Sequence, residues 1–263
     1  MKKEDFINIM QEIAPAHLAD DFDNPGLLVD CESDEIRKVL LALDCTMSVA
    51  EEAVRGGYDL VLVHHPLIFN PMKNILRSDP VGCVVYKLIR NGIGLFAAHT
   101  NLDKAKGGVN DTLCRLFKLE NCVTVEPDGY GRVGDLPNEM TLSELIKYTD
   151  EVLNTKTKCA TANFETDTDS IIIRRVGVLG GSGGDDTALI KSYGADAYIT
   201  GEVKHNQAIE AQHMGINLLM AGHYETENPV MTEIIGYLQK QSFGVEYKLS
   251  ECAQSPLRVF EKR

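Results

Sequence analysis

The sequence of 263 residues lacks three features that would each have fixed a class of protein. Its longest uninterrupted apolar runs have about five residues, as at 39–43, whereas a helix that crosses a bilayer needs ~20. It has no C-x-x-C pair, and its seven cysteines are scattered. The first residues, M-K-K-E-D-F, turn acidic where a signal peptide would become apolar. We therefore expect no membrane span, no signal peptide and no disulfide framework, and we predict a reduced, cytoplasmic protein.

Basic residues are also scarce relative to acidic ones. There are 26 lysines and arginines against 39 aspartates and glutamates, which gives a formal net charge of −13. This balance argues against a broad surface for nucleic acid or anionic membrane, because both depend on clustered lysine and arginine. Hydrophobic residues make up 44% and charged residues 25%, as in globular proteins with a sizeable core.

The first half of the chain alternates short apolar runs with amphipathic stretches. Continuous apolar strands separated by helices are typical of a mostly parallel sheet in an α/β protein. Each strand leads directly into polar residues, and ligands of open α/β sheets gather beyond the carboxyl ends of the strands. We predict strands at 38–44, 58–63 and 93–98, and helices at 48–55, 82–90 and 109–117.

The composition shifts after residue 127, where a glycine-rich stretch at 129–134 reads as a turn. We predict two interlinked α/β domains with mixed, mostly parallel sheets, helices on both faces and a metal site in a cleft at the carboxyl ends of the strands. The first domain is predicted at 1–127, completed by 220–263, and the second at 128–219. The remaining elements are predicted as strands at 171–179, 196–200, 216–221 and 245–249, and helices at 142–153, from 185 and at 230–240.

Three groups of histidines and carboxylates follow predicted strands. His64 and His65 precede a proline that favours a loop, so both imidazoles can turn toward one cleft. His99 and Asp103 follow the next strand. Each group alone is equally explained by a surface loop or a capped strand end. Together, imidazoles and carboxylates suit Zn, Fe, Mn, Co or Ni rather than Ca or Mg.

The third group lies at 223–227, where His223 and Glu227 are four residues apart. On a helix this spacing would put both side chains on one face. Pro229 disfavours helical geometry at the residue before it, so the segment is alternatively a turn that leads into a helix starting at Pro229.

Three motifs in this order, V-H-H-P-L-I-F, A-A-H-T-N-L-D and G-H-Y-E-T-E, resemble those of the GTP cyclohydrolase 1 type 2 homologue family. Residues 22–27, F-D-N-P-G-L, are similar to the family's W-D-N-x-G-L, with Phe22 in place of tryptophan. The resemblance extends through nearly the whole chain. It implies a toroidal homohexamer, related to a factor first described as a transcription-factor partner, with two divalent metal ions per subunit. The implied metal ligands are His64, His65, Asp103, His223 and Glu227, with Glu227 as the bridging carboxylate.

A two-metal centre with open coordination positions would suit hydrolysis. A small anionic substrate, nucleotide-like or otherwise phosphorylated, is the expectation, and opening of the guanine ring of GTP is implied by the family name alone. Metal trafficking, or an interaction scaffold in which metals only stabilise the assembly, are the alternatives.

Three residues are candidates for proton transfer. His99 is a candidate catalytic residue or a residue that orients a metal ligand. Glu202 is a second candidate, or else a carboxylate at a helix N-terminus. The family commonly has a histidine pair at the position of His205, where this chain has His205-Asn206, so His205 is the third candidate.

Residues 180–184, G-G-S-G-G, follow a predicted strand and precede a helix. Their amides could bind a phosphate. The run lacks both the lysine of a P-loop and the spacing of a dinucleotide fingerprint, so a tight turn without a ligand is the simpler interpretation.

Overall fold

The computed structural model describes residues 1–163 and 167–258, which form two compact units. The first unit comprises Met1–Gly108 and Val230–Gln254, and the second comprises Val109–Pro229 and the described residues 255–258. Within the described residues, no helix is both long and apolar enough to cross a membrane.

The first unit contains a five-stranded sheet in the order β1-β4-β3-β2-β11. Strands β4, β3, β2 and β11 pair in parallel, and β1 is an antiparallel edge strand. The strands of this sheet are β1 (Gly26–Val29), β2 (Lys38–Ala42), β3 (Leu60–Val63), β4 (Gly94–Ala97) and β11 (Glu246–Leu249). Its helices are α1 (Lys3–Ile13), α2 (Met47–Gly56), α3 (Pro80–Arg90), α4 (Thr100–Lys104) and α10 (Pro229–Gln241).

Helices cover both faces of this first sheet because its central strands are apolar on both sides. Leu40, Val61 and Leu95 share a buried cluster with residues of α2 and α3. Phe96 instead meets Phe6 of α1 edge to face, with 5.8 Å between ring centroids. Near-continuous apolar strands of this kind are what a doubly covered parallel sheet requires.

The second unit contains a six-stranded mixed sheet in the order β5-β6-β8-β9-β10-β7. Only β8, β9 and β10 pair in parallel, and the other pairings are antiparallel. Its strands are β5 (Glu120–Thr124), β6 (Arg132–Thr141), β7 (Lys158–Ala160), β8 (Ile172–Leu179), β9 (Ala197–Thr200) and β10 (Asn217–Met220). Its helices are α5 (Val109–Leu116), α6 (Leu142–Leu153), α7 (Thr187–Ser192), α8 (His205–His213) and α9 (His223–Glu227).

Alternate residues of β9 and β10 pack into two separate hydrophobic cores, one on each face of the second sheet. Ile199 and Leu219 pack with residues of α5 and α6. Tyr198 and Leu218 pack with residues of α7 and α8. This period of two is the signature of a strand buried on both sides. The mixed α/β architecture predicted from the sequence is therefore confirmed.

The predicted boundaries of elements and domains differ from the structure, most clearly for the 129–134 stretch and for the limits of the first unit. The 129–134 stretch was expected to form a turn, but β6 passes through Gly134. A Cβ there would lie 2.6 Å from the Cys122 sulfur, so glycine permits close strand pairing. The first unit ends at Gly108 rather than at 127, because Leu113 and Phe117 are buried in the core of the second unit. Its C-terminal part is Val230–Gln254 rather than 220–263, so that His223 and Glu227 belong to the second unit.

Candidate metal-binding residues

In the first unit, three histidines meet at the carboxyl ends of two neighbouring strands. His64 and His65 follow β3, and His99 follows β4 after one intervening alanine. Because β3 and β4 are parallel neighbours, their ends lie at the same edge of the sheet. Ring nitrogens of the three histidines lie within 4.8 Å of one another. This spacing is compatible with ligation of a common ion.

Hydrogen bonds at Nδ1 fix the orientation of His64 and His65. The Nδ1 of His64 lies 2.8 Å from the carbonyl oxygen of Ala98. A carbonyl oxygen can only accept, so Nδ1 must carry the proton and Nε2 is then the acceptor of the neutral ring. The Nδ1 of His65 likewise lies 2.8 Å from Oδ1 of Asp44. Metal-binding histidines are commonly held in this way, by a carbonyl or carboxylate at the other ring nitrogen.

Asp103 lies in the short helix α4, which begins directly after His99. Its side chain is almost fully buried, and its Oδ1 lies 3.5 Å from Nε2 of His64. A buried carboxylate next to the acceptor nitrogen of a buried imidazole offers two ligand atoms of the kind that zinc and similar ions bind.

His99 is held by Asp23, from the F-D-N-P-G-L segment. Its Nδ1 lies 2.8 Å from Oδ1 of Asp23, and Oδ2 of Asp23 accepts hydrogen bonds from the amide and hydroxyl of Thr100. Burial opposes ionisation of Asp23, but the bonds from His99 and Thr100 hold the pKa of that carboxyl well below its usual range. The structure thus places His99 beside the predicted ligands, with a fixed Nδ1 partner.

In the second unit, the predicted ligands His223 and Glu227 lie on one face of α9. Nε2 of His223 is 3.0 Å from Oε2 of Glu227. Both sequence-based interpretations hold in part, because 223–227 is helical and a further helix starts at Pro229. Gly222, with a φ of 94°, lets the chain turn from β10 into α9.

Glu202 follows β9, the parallel neighbour of β10, and therefore lies at the same edge of the second sheet. Its Oε2 is 3.3 Å from Nδ1 of His223. The structure thus gives Glu202 a contact with a predicted metal ligand, as Asp44 has with His65. His205, by contrast, is the exposed first residue of α8.

The glycine run at 180–184 is a turn in which three of the five amides are bonded within the protein. The amide of Gly180 donates to Asn110, that of Gly181 to Thr226, and that of Gly183 to Thr200. These bonds occupy three of the five amides of the run and so leave fewer donors for a phosphate, which favours the structural interpretation of the run.

Cys45, close to the end of β2, is buried, and burial raises the pKa of its thiol to about 12. A thiol with so high a pKa is not a nucleophile near neutral pH.

Neither Asp23 nor Asp44 was assigned a role at the site from the sequence. Asp44 follows β2 after one intervening leucine, as polar residues follow the other predicted strands, and Asp23 lies in the motif shared with the family. Their specific roles depend on contacts over 21 and 76 positions of sequence, which no local pattern encodes.

The chain is thus a mixed α/β protein in which histidines and carboxylates lie beyond the carboxyl ends of parallel strands. The chain matches the model of the Duf34/NIF3 (NGG1p interacting factor 3) family over residues 1–256. It therefore belongs to that family.

Curated relatives cover nearly the whole chain. The GTP cyclohydrolase 1 type 2 homolog of Clostridium perfringens is 36% identical, over 97% of this chain and 98% of its own length. The NGG1-interacting factor 3 of Saccharomyces cerevisiae is 32% identical, over 90% of each chain.

Solved structures share the fold. Reduced HcgD from Methanocaldococcus jannaschii superimposes with a TM-score of 0.82 at 30% identity, over 95% of this chain and 98% of its own. A Bacillus cereus protein related to NIF3 gives a TM-score of 0.88 at 23% identity, over 99% of both chains.

The packing of the glycine run at 180–184 against His223 and Glu227 of α9 can be tested by replacing Gly181. Its φ is +69°, and a Cβ there would lie 2.1 Å from Oε1 of Glu227 and 3.2 Å from Nε2 of His223. Gly215 has a similar φ of +68° with open space around its Cβ position. Gly215→Ala should cost about 1 kcal/mol of unfolding free energy from backbone strain alone. Gly181→Ala should cost clearly more, because Glu227 must also move.

Urea unfolding of both variants checks this expectation. Equal losses of unfolding free energy in the two alanine variants would show that residues 180–184 do not pack against His223 and Glu227 as described.

Proposed function

We propose that the chain binds two divalent metal ions per subunit and uses them to hydrolyse a nucleotide-like or phosphorylated small molecule. The proposed ligands are the five predicted from the sequence, His64, His65, Asp103, His223 and Glu227. The observation that carries the proposal is the clustering of three of these ligands in the first unit. Ring nitrogens of His64 and His65 lie within 4.8 Å of each other, and Oδ1 of Asp103 is 3.5 Å from Nε2 of His64. Zn, Fe, Mn, Co and Ni fit this donor set, because imidazole with carboxylate suits borderline ions.

The suitability of these residues for a divalent ion depends on how their ligand atoms are oriented as well as on which atoms they are. A ligand histidine must be neutral at the nitrogen that binds the ion. The bond from Nδ1 of His64 to a backbone carbonyl places the proton of the neutral ring on Nδ1 and leaves Nε2 as the nitrogen that can bind an ion. When bound, divalent ions would supply Lewis-acid polarisation of the substrate and lower the pKa of water.

The chain's own residues supply positions for proton transfer. We propose that His99 and Glu202 act there as catalytic residues. Asp23 holds the ring of His99 through Nδ1, which fixes Nε2 as the atom that takes or gives a proton. The carboxylate of Glu202 bonds to His223, so its second oxygen is the one available for such a transfer.

The proposal also includes a toroidal homohexamer in the cytoplasm, as the resemblance to the family suggests. Native mass spectrometry should give an assembly of six chains. A monomer at micromolar concentration would contradict this part of the proposal.

Replacing His64 tests the metal assignment. His64→Ala removes a buried imidazole whose Nε2 faces Asp103, so the variant should lose at least one metal equivalent, or bind it at least tenfold more weakly. His17→Ala, at an exposed position of the same unit, is the matched control and should keep the wild-type metal content. Elemental analysis of both purified proteins measures this. Two ions retained by His64→Ala would show that the ligand assignment is wrong.

Turnover decides between hydrolysis and metal trafficking. The fully loaded protein should hydrolyse at least one member of a panel of GTP, other nucleotides and phosphorylated heterocycles. His99→Gln should lower that rate about 10²-fold or more, the range for loss of one acid–base group, without loss of metal. Absence of hydrolysis for the whole panel, together with rapid transfer of metal to a chelator, would favour the trafficking alternative.

A further inference from the structure

A cleft of about 750 Å³ lies within the second unit, and Ser182 and Gly184 of the glycine run form part of its wall. Loops after β9 and β10 form much of its wall, and the described C-terminal residues contribute to it. Its volume falls in the range of small-molecule binding sites, roughly 300–1,000 Å³. The cleft can therefore hold a molecule of nucleotide size.

Four basic side chains line this cleft in a chain that is otherwise strongly acidic: Lys156, Lys158, Lys204 and Arg258. Among residues 1–163 and 167–258, no carboxylate oxygen lies within 4.0 Å of the charged groups of Lys158, Lys204 or Arg258. Cations that are not neutralised by the protein and that converge on a concave surface raise the local concentration of anions.

The cleft also has three acidic side chains, two of which already have partners. Asp185 accepts a hydrogen bond of 2.7 Å from the amide of Gln207. Glu202 lies 3.3 Å from Nδ1 of His223. Glu225 is the third. Positive side chains thus outnumber negative ones by four to three.

The remaining wall suits the rest of a phosphorylated molecule. Val203, Met220 and Leu257 supply apolar surface. Gly222 and Glu202 also line the cleft, so a molecule bound there lies beside His223, a proposed metal ligand.

We propose that this cleft binds the phosphate groups of a small phosphorylated molecule through Lys158, Lys204 and Arg258. A phosphate carries up to two negative charges and several acceptor oxygens, which matches several separated cations better than a single carboxylate does. The proposal that the cleft binds phosphate rests on this geometry alone. The assignment of the bound molecule as the substrate rests on the proposed metal-dependent hydrolysis.

Inorganic pyrophosphate is the probe, measured by calorimetry on the full-length protein after removal of metal with a chelator. Metal removal matters because phosphates bind metal ions directly. The double variant Lys158→Gln/Lys204→Gln should bind pyrophosphate at least tenfold more weakly than wild type, because each hydrogen bond to a charged group contributes about 1.5–3 kcal/mol. Lys147→Gln, on the exposed side of α6, is the control and should bind like wild type.

Two outcomes would overturn the inference. One is equal pyrophosphate affinity in the double variant and wild type, or no binding to wild type. The other is a single-stranded oligonucleotide that binds wild type more tightly than pyrophosphate and loses this affinity in the double variant, since the cleft would then serve a polymer.

Metal content distinguishes failure of this inference from failure of the proposed function. The lysine variants should keep their metal, and His64→Ala should keep its pyrophosphate affinity, since the two depend on different residues. Loss of pyrophosphate binding with metal content unchanged supports the cleft alone. An unchanged metal content in His64→Ala would refute the assignment of the metal ligands but would not affect the proposal that the cleft binds phosphate.

Discussion

The arrangement depends on one repeated interaction, the bond from Nδ1 of an imidazole to a fixed oxygen acceptor. Ala98 holds His64, Asp44 holds His65 and Asp23 holds His99, each at 2.8 Å. Without these acceptors the rings could rotate or change tautomer, and their ring nitrogens would not be held within 4.8 Å of one another. The acceptors come from the segments that follow β2 and β4 and from the loop before β1. The fold thus acts by bringing distant acceptors to the three histidines.

Parallel strand pairing is what makes that convergence possible. The carboxyl ends of β3 and β4 coincide in the first unit, and those of β9 and β10 coincide in the second. In both units, polar residues of the site follow the carboxyl end of a buried strand within five positions. Apolar strands fix the backbone, and the first residues outside the core are therefore the best positioned for chemistry.

Much of this could be predicted from the sequence, because the central strands are short, apolar and followed by histidine or carboxylate. Four strands were missed, and three of them lack that signal. β5 is exposed along its whole length, β7 has three residues, and β6 contains Pro137 and several polar positions. The fourth, β1, is apolar and is followed by Asp30, but it is a four-residue edge strand in which only Val29 is buried. The roles of Asp23 and Asp44 depend on tertiary contacts, so a pattern of local residues cannot supply them.

Anomalous X-ray scattering from crystals of the metal-loaded protein tests directly whether the fixed imidazoles bind metal. Ions should be bonded to Nε2 of His64 and His65, with Nδ1 of the two rings still bonded to Ala98 and Asp44, respectively. Ions bound through Nδ1, or an anomalous signal remote from these histidines, would contradict this expectation.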